Sequence, residues 1–186
     1  MTRTFVAIYP SAEAVAHLDE FLDVRRDAAQ FRWTHTTQWH LTLAFFDDVP
    51  DRSFDALVDG LDGAVGKRSP MRAAIVSGGA FPHVGRAKVL WAGVEVDDAA
   101  ELGKLARGCR AAGATAGAPP SGERFRPHLT VARINPPIEA TKWVRLLAAY
   151  RGPEWTIDEI ALVESHLGEG PKRRPRHEVV ATFPFS

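Results

Sequence analysis

With 186 residues, 45% of them hydrophobic and 25% charged, the chain has the composition of a soluble globular protein and the length of one domain or of two small lobes sharing a core. Lys plus Arg equals Asp plus Glu at 23 each, which excludes the strong basic excess of a protein that coats long nucleic-acid duplexes. A nucleic-acid partner of such a chain would be a short end or fragment.

In chain order, Arg3 to Tyr9 is a β-rich run closed by Pro10 and reads as a first strand. The opening residues from Met1 lack the long apolar region and small-residue cleavage site of a signal peptide, and no apolar run approaches the roughly 18 residues of a membrane span. The expected location is therefore the cytoplasm. Ser11 is an N-cap for a helix carrying Val15, Leu18, Phe21 and Leu22 at helical spacing, with His17 as a helix residue without a role. Phe31 to Thr34 reads as a short strand, and a strand from Trp39 to Phe46 follows the polar stretch His35 to Gln38. Asp47 to Asp51 is expected to break that strand before a second helix on Phe54, Leu57, Val58 and Leu61, closing at Gly63 or Gly66.

Met71 to Ser77 is β-like, Gly78 to Pro82 reads as a turn or irregular edge, and Lys88 to Val96 is another strand. Asp97 or Asp98 caps a third, alanine-rich helix reaching about Ala112, with Gly113 to Glu123 as a hinge-like loop. The single cysteine, Cys109, excludes an internal disulfide and a cysteine-based zinc site, and its spacing from Leu102 and Leu105 makes it a buried small hydrophobe. A strand to Ile134 is ended by Asn135-Pro136-Pro137, then come a helix over Ile138 to Tyr150 and two last strands, Thr156 to Ser165 and Glu178 to Phe183. The order predicts an α+β fold of antiparallel sheet with outer helices, organised as an internal two-fold repeat around a cleft.

The repeat is carried by one phrase used twice. Trp39-His40-Leu41-Thr42-Leu43-Ala44-Phe45 returns as Pro127-His128-Leu129-Thr130-Val131-Ala132-Arg133. Side chains alternate along a strand, so His40 and Thr42 share one face, as do His128 and Thr130, while Leu41, Leu43, Leu129 and Val131 point to a core. Ala44 and Ala132 would be next on the histidine face. Two such strands side by side set two imidazoles and two hydroxyls around one spot. An imidazole titrates near pH 6.5, so one can act as base and the other as acid on a phosphodiester, with threonine hydroxyls donating to its non-bridging oxygens. This scheme needs no metal. The rival scheme, zinc held by the two histidines with Asp47 or Asp48, lacks a matching carboxylate in the second copy, which has only Asn135 nearby.

Other candidates read more simply as structure. Trp33 and Trp39 bracket the first copy and read as packing before base stacking; His35 and His83 are loop histidines. Lys172, Arg173, Arg174 and Arg176 read as a solvated basic loop before a phosphate-steering one, and Ser165-His166 has no sequence geometry of a nucleophile pair.

The paired His-x-Thr-x pattern resembles the signature of the 2H phosphoesterase superfamily, and within it the RNA 2′,3′-cyclic phosphodiesterases, also called 2′-5′ RNA ligase-like proteins. Arg3 to Ile8, Gly79 to Pro82 with Val89 to Val94, Arg124 to Pro127, and Leu162 to Leu167 resemble further segments of that family in order. The resemblance implies a single domain over residues 1–186 built of two intertwined, pseudo-symmetric lobes around a central cleft. It implies metal-independent opening of an RNA 2′,3′-cyclic phosphate to a 2′-phosphate. His40 would be the proton donor to the 3′ oxygen, His128 the proton acceptor from water, Thr42 and Thr130 the phosphate ligands, and Phe45 and Arg133 the contacts to the terminal base. Strict alternation puts Phe45 and Arg133 on the face opposite the histidines, so they reach a ligand only if the strands end or bulge there. Phe46-Asp47-Asp48 departs from the family's aliphatic-glycine-acidic sequence, so the turn leaving the first phrase is expected to differ. The expected partner is an RNA end or cyclic nucleotide, with no cofactor, membrane or obligate protein partner, and a monomer. The alternatives are 2′-5′ ligation, another 2′,5′-linked or cyclic substrate, and a non-catalytic RNA-end binding module.

Overall fold

Among the described residues nine strands form one sheet in which every paired neighbour runs antiparallel, and four α-helices pack on it. The computed structural model describes residues 2–122 and 125–186. Met1, Glu123 at the end of the expected hinge loop, and Arg124 in the family-like lead-in to the second phrase lie outside the described residues. The elements are β1 (Thr2–Ile8), α1 (Ala12–Arg26), β2 (Arg32–Trp33), β3 (Leu41–Val49), α2 (Phe54–Val65), β4 (Met71–Phe81) and β5 (Ala87–Val96). There follow α3 (Ala99–Ala116), β6 (His128–Ile138), α4 (Thr141–Ala148), β7 (Arg151–Ile157), β8 (Glu159–His166) and β9 (Arg176–Pro184). Helix starts follow the expected capping chemistry: Ser11 Oγ accepts from the Ala14 amide, and the Asp98 carboxylate accepts from the Glu101 amide.

The strand order is β7-β4-β5-β6-β3-β1-β8-β9, with β2 added to β6. The fold is α+β, and its two lobes are related by a pseudo-two-fold. One lobe is β6-β5-β4-β7 with α1 and α4 against it; the other is β3-β1-β8-β9 with α2 and α3. Each lobe draws on both halves of the chain, because β1 pairs with β8 near the end while α1 packs on β7 and β4. The lobes meet where β3 pairs with β6, at Leu41 opposite Leu129. Both leucines are buried in a core that includes Leu18, Leu22, Phe46, Leu57, Leu61, Ile75, Leu90 and Leu102.

Several boundaries differ from the sequence reading, each for a physical reason. β3 runs on through Asp47 and Asp48 to Val49, because Thr2 pairs with Val49 and the Asp48 carboxylate accepts from the Thr2 amide. Gly78 to Phe81 belongs to β4, whose register against β5 slips around Ser77 (φ 65°). β6 continues through Asn135-Pro136-Pro137, which sit in an unpaired stretch between the pairs Arg133–Val89 and Ile138–Ala87. α4 is correspondingly shorter than expected. β7 is a separate strand where a single one from Thr156 was expected; its Pro153 is tolerated because β7 is the sheet edge. α3 does not stop at Ala112. Gly113 is a packing position inside it, since a Cβ there would stand 2.1 Å from Phe46 Cε1, and the helix ends at Gly117 in the left-handed region (φ 86°).

Cys109 and Trp39 are fully buried core residues, and burial pushes the Cys109 thiol up to about 12. Among the described residues no helix is long and apolar enough to cross a membrane.

Gly113→Ala is expected to lower the unfolding free energy by about 1–3 kcal/mol through overpacking against Phe46. Gly63→Ala, in α2 with nothing within 4 Å of the added methyl, is expected to raise it by roughly 0.5–1 kcal/mol. Urea midpoints at unchanged slope measure both.

Candidate active site

The two phrases become one site through the β3–β6 pairing. Antiparallel register carried one residue either side of Leu41–Leu129 sets His40 opposite Thr130 and Thr42 opposite His128. The imidazoles therefore lie diagonally across the strand pair, on opposite sides of the local two-fold, with a hydroxyl facing each. Both rings are anchored in the same way. His40 Nδ1 lies 2.7 Å from the Gln38 carbonyl oxygen, and His128 Nδ1 lies 2.7 Å from the Arg126 carbonyl oxygen. A carbonyl only accepts, so each Nδ1 carries the hydrogen and donates it. That fixes the tautomer and leaves each Nε2 as the nitrogen that gains or loses a proton.

The rings sit in apolar surroundings of unequal depth. His40 stacks on Phe5 with centroids 4.6 Å apart, and His128 meets Phe81 edge-on at 5.0 Å. Burial lowers the His40 pKa to about 4 against the opposing pull of the Gln38 carbonyl, with the nearby His177 and His128 adding to the depression. His128 is lowered too, first by burial and then by the charges of Arg126 and Arg133, again opposed by its backbone hydrogen bond.

A β-bulge in each strand decides what surrounds the histidines. On β3, Thr42 pairs with Ala7 but Ala44 pairs with Val6, so Leu43 is an extra residue. On β6, Thr130 pairs with Trp91 but Ala132 pairs with Leu90, so Val131 is the extra residue at the equivalent place. Beyond each bulge the alternation reverses. Ala44 and Ala132 accordingly turn into the core, contrary to the expectation that they share the histidine face. Phe45 and Arg133, which strict alternation sent away, turn towards the histidines instead.

A cavity of about 600 Å³ brings His40, Thr42, Phe45, His128, Thr130 and Arg133 together. Its walls add residues that sequence reasoning did not single out for the site: Arg3, Arg32, Gln38 and His177. Arg3 lies 5.1 Å over the Phe45 ring. His177 on β9 is 5.7 Å from the His40 ring, in T-shaped contact, and its buried Nδ1 has no hydrogen-bond partner among the described residues. Of the basic loop only Arg174 lines the cavity; Lys172, Arg173 and Arg176 do not. Trp33 and Ser165 are also on its wall, whereas His17, His35, His83 and His166 are not. His17 instead bonds the Tyr150 hydroxyl, and His166 lies among Glu164, Glu169 and Glu178.

Neither Asp47 nor Asp48 reaches the cavity, and no carboxylate lines it among the described residues. A hard divalent cation would find no oxygen anion there. Among the described residues, Glu164, His166 and Glu178 bring three potential metal-ligand atoms together, but they lie outside the lining, with Arg176 paired to Glu178.

The sequence model of the 2′-5′ RNA ligase superfamily matches residues 8–169. The chain belongs to that superfamily. Its relatives include the RNA 2′,3′-cyclic phosphodiesterase of Aquifex aeolicus, 30% identical over 174 residues that cover 90% of each chain. The enzyme of the same name from Geobacillus stearothermophilus is 27% identical over 97% of this chain, which spans only 56% of that protein's length. Among solved structures, TT0787 of Thermus thermophilus superposes with a TM-score of 0.76 at 28% identity over 98% of this chain and 97% of that one. Escherichia coli LigT complexed with 3′-AMP has the same fold, with a TM-score of 0.76 at 22% identity over 100% of this chain and 98% of that one.

In an NMR titration the His40 ring is expected to titrate near pH 4 and His128 below its ordinary range. Inorganic phosphate should move both upward, because an anion beside an imidazole favours the imidazolium. Midpoints of about 6.5 for both rings, unmoved by phosphate, would contradict this electrostatic picture.

Proposed function

We propose that the protein is an RNA 2′,3′-cyclic phosphodiesterase that opens the cyclic phosphate to a 2′-phosphomonoester without a metal or other cofactor. The observation that carries this reading is the diagonal pair of identically anchored imidazoles, each facing a threonine hydroxyl across the β3–β6 pairing. Hydrolysis of a phosphodiester runs in line, with the attacking and leaving oxygens on opposite sides of phosphorus. Two bases on opposite sides of a two-fold suit that demand. The name shared by the chain's relatives supports the same substrate.

In this reaction His128 Nε2 takes a proton from water as the water oxygen bonds to phosphorus. The bond from phosphorus to the 3′ oxygen breaks, and His40 Nε2 gives its proton to that oxygen. Thr42 and Thr130 hydroxyls donate to the non-bridging oxygens, where negative charge grows in the transition state. Phe45 offers a flat face to the terminal base and Arg133 a guanidinium plane. The depressed His40 pKa means that the free enzyme holds its acid mostly unprotonated at neutral pH. The bound phosphodiester contributes the negative charge that raises His40, so substrate binding brings its own proton uptake. The same reading takes the protein as a cytoplasmic monomer.

His40→Ala and His128→Ala are each expected to lower kcat/KM by about 10²- to 10⁴-fold. Thr42→Val or Thr130→Val should cost about 10²-fold through the lost donor. EDTA should leave the rate unchanged, and the product should carry a 2′- and not a 3′-phosphate. Near-normal activity in both histidine variants would end the assignment. The pH profile has a defined sign: kcat/KM should already be falling as pH rises towards about 6.5, because both imidazoles are lowered in the free enzyme and His40 gives up its proton near pH 4. In kcat the falling limb should lie at higher pH, since the bound anion raises His40.

A further inference from the structure

The cavity carries more positive charge than the reacting group engages. Arg3, Arg32, Arg133 and Arg174 line it, and none forms an ion pair with a carboxylate among the described residues. A cyclic phosphodiester has one negative charge, already met by two imidazoles and two hydroxyls. Arg3 is engaged over Phe45, and Arg133 lies beside His128. That leaves Arg32 and Arg174.

The fold sets the strand position of Arg32 and holds the Arg174 guanidinium by a hydrogen bond. Arg32 of β2 is the direct cross-strand partner of Arg133 on β6, so the two guanidinium side chains share a face. Like charges in that position repel unless an anion lies between or beside them. Arg174 Nη1 donates to the Trp33 carbonyl at 2.6 Å, one residue from Arg32, and Gln38 Nε2 donates to the Pro175 carbonyl at 2.9 Å. These two bonds tie the β8–β9 connection of one lobe onto the β2–β3 segment. Lys172 and Arg173, just before, hold φ of 55° and 61°, sparsely populated for residues with side chains. Planar guanidinium forks on the wall of one cavity suit the oxygens of a phosphate.

We propose that Arg32 and Arg174 form a subsite for a phosphate on the 5′ oxygen of the terminal ribose, so that a cyclic phosphate end carrying an O5′ phosphate is preferred to a bare cyclic nucleoside. This rests on the phosphodiesterase reading and adds its substrate class. The O5′ phosphate has two sources, a 5′-monophosphate or the internal diester of an oligonucleotide.

Three substrates separate them: a nucleoside 2′,3′-cyclic phosphate, the same compound carrying a 5′-phosphate, and a dinucleotide ending in the cyclic phosphate. For the unaltered protein kcat/KM should be about tenfold or more higher with an O5′ phosphate than without. Arg32→Gln and Arg174→Gln should each pull that ratio towards one. A gain with both phosphorylated substrates indicates any O5′ phosphate, and a gain with the dinucleotide alone indicates the internal diester. The salt dependence of kcat/KM should be steeper for the favoured substrate by about 0.7 in log–log slope per phosphate engaged. Equal turnover of all three substrates, or equal fractional losses on all three in both variants, overturns the subsite. Conversion of none overturns the phosphodiesterase reading instead. In that case calorimetry with a nucleoside 2′-phosphate and a nucleoside 2′,5′-bisphosphate decides the subsite. Tighter bisphosphate binding that Arg174→Gln and Arg32→Gln both reduce upholds it, and equal binding of the two compounds overturns it.

Discussion

The site depends on one cross-strand pair, Leu41 with Leu129. Antiparallel pairing of two similar strands has a local two-fold, and only that symmetry turns two copies of one phrase into a single constellation with imidazoles on opposite sides. A parallel pairing of the same strands would put both histidines on one side and both threonines on the other. The two leucines, 1% and 0% exposed, hold the junction from below while the polar residues face the cavity above. Burial of side chains of this size contributes about 1.5–3 kcal/mol each. The apolar positions of the phrase therefore set the geometry of the cavity as much as the polar ones.

The second constraint is the bulge that follows in each strand. An extra residue interrupts the ladder, yet Leu43 and Val131 are buried, so their side chains offset part of what the ladder loses. The bulge reverses the facing of everything after it. Small alanines then close the core beneath the cavity, and the unlike residues Phe45 and Arg133 reach its rim. In the proposed reaction the lobes are alike where proton transfer needs two similar groups and unlike where a substrate with unlike ends must be oriented.

Much of this was legible in the chain. The repeated phrase exposed the His and Thr pairs, because burial of Leu41, Leu43, Leu129 and Val131 forces the alternation that sets them apart. Ser11 and Asp98 announced their helices by capping chemistry. The bulges were not legible, since Leu43 and Val131 fit a regular strand as well as a bulged one and only the partner strands reveal the slip. α3 overran Gly113 because the tight approach of Phe46 asks for glycine there, and a glycine in a packing role looks the same in sequence as one in a turn. Pro153 hid an edge strand. Arg3, Arg32, Arg174 and His177 share no local pattern. They come from β1, β2, the β8–β9 connection and β9, and tertiary pairing alone brings them to one cavity.

The electrostatics of that cavity suit an anion although the chain has no net charge. Its walls hold arginines without carboxylates, and its floor holds histidines whose burial keeps them neutral. The arginines stay charged at any accessible pH, so attraction is permanent, while the imidazole charge depends on what is bound. The same depression has a cost in stability. A histidine whose folded pKa lies below its unfolded value lets the unfolded chain take up protons first, so stability falls as pH drops below about 6.5 and levels off once the folded protein also protonates, near 4 for His40. A site that keeps its buried imidazole neutral thus gives up some acid resistance when free, and an anionic ligand, by raising His40, should restore it.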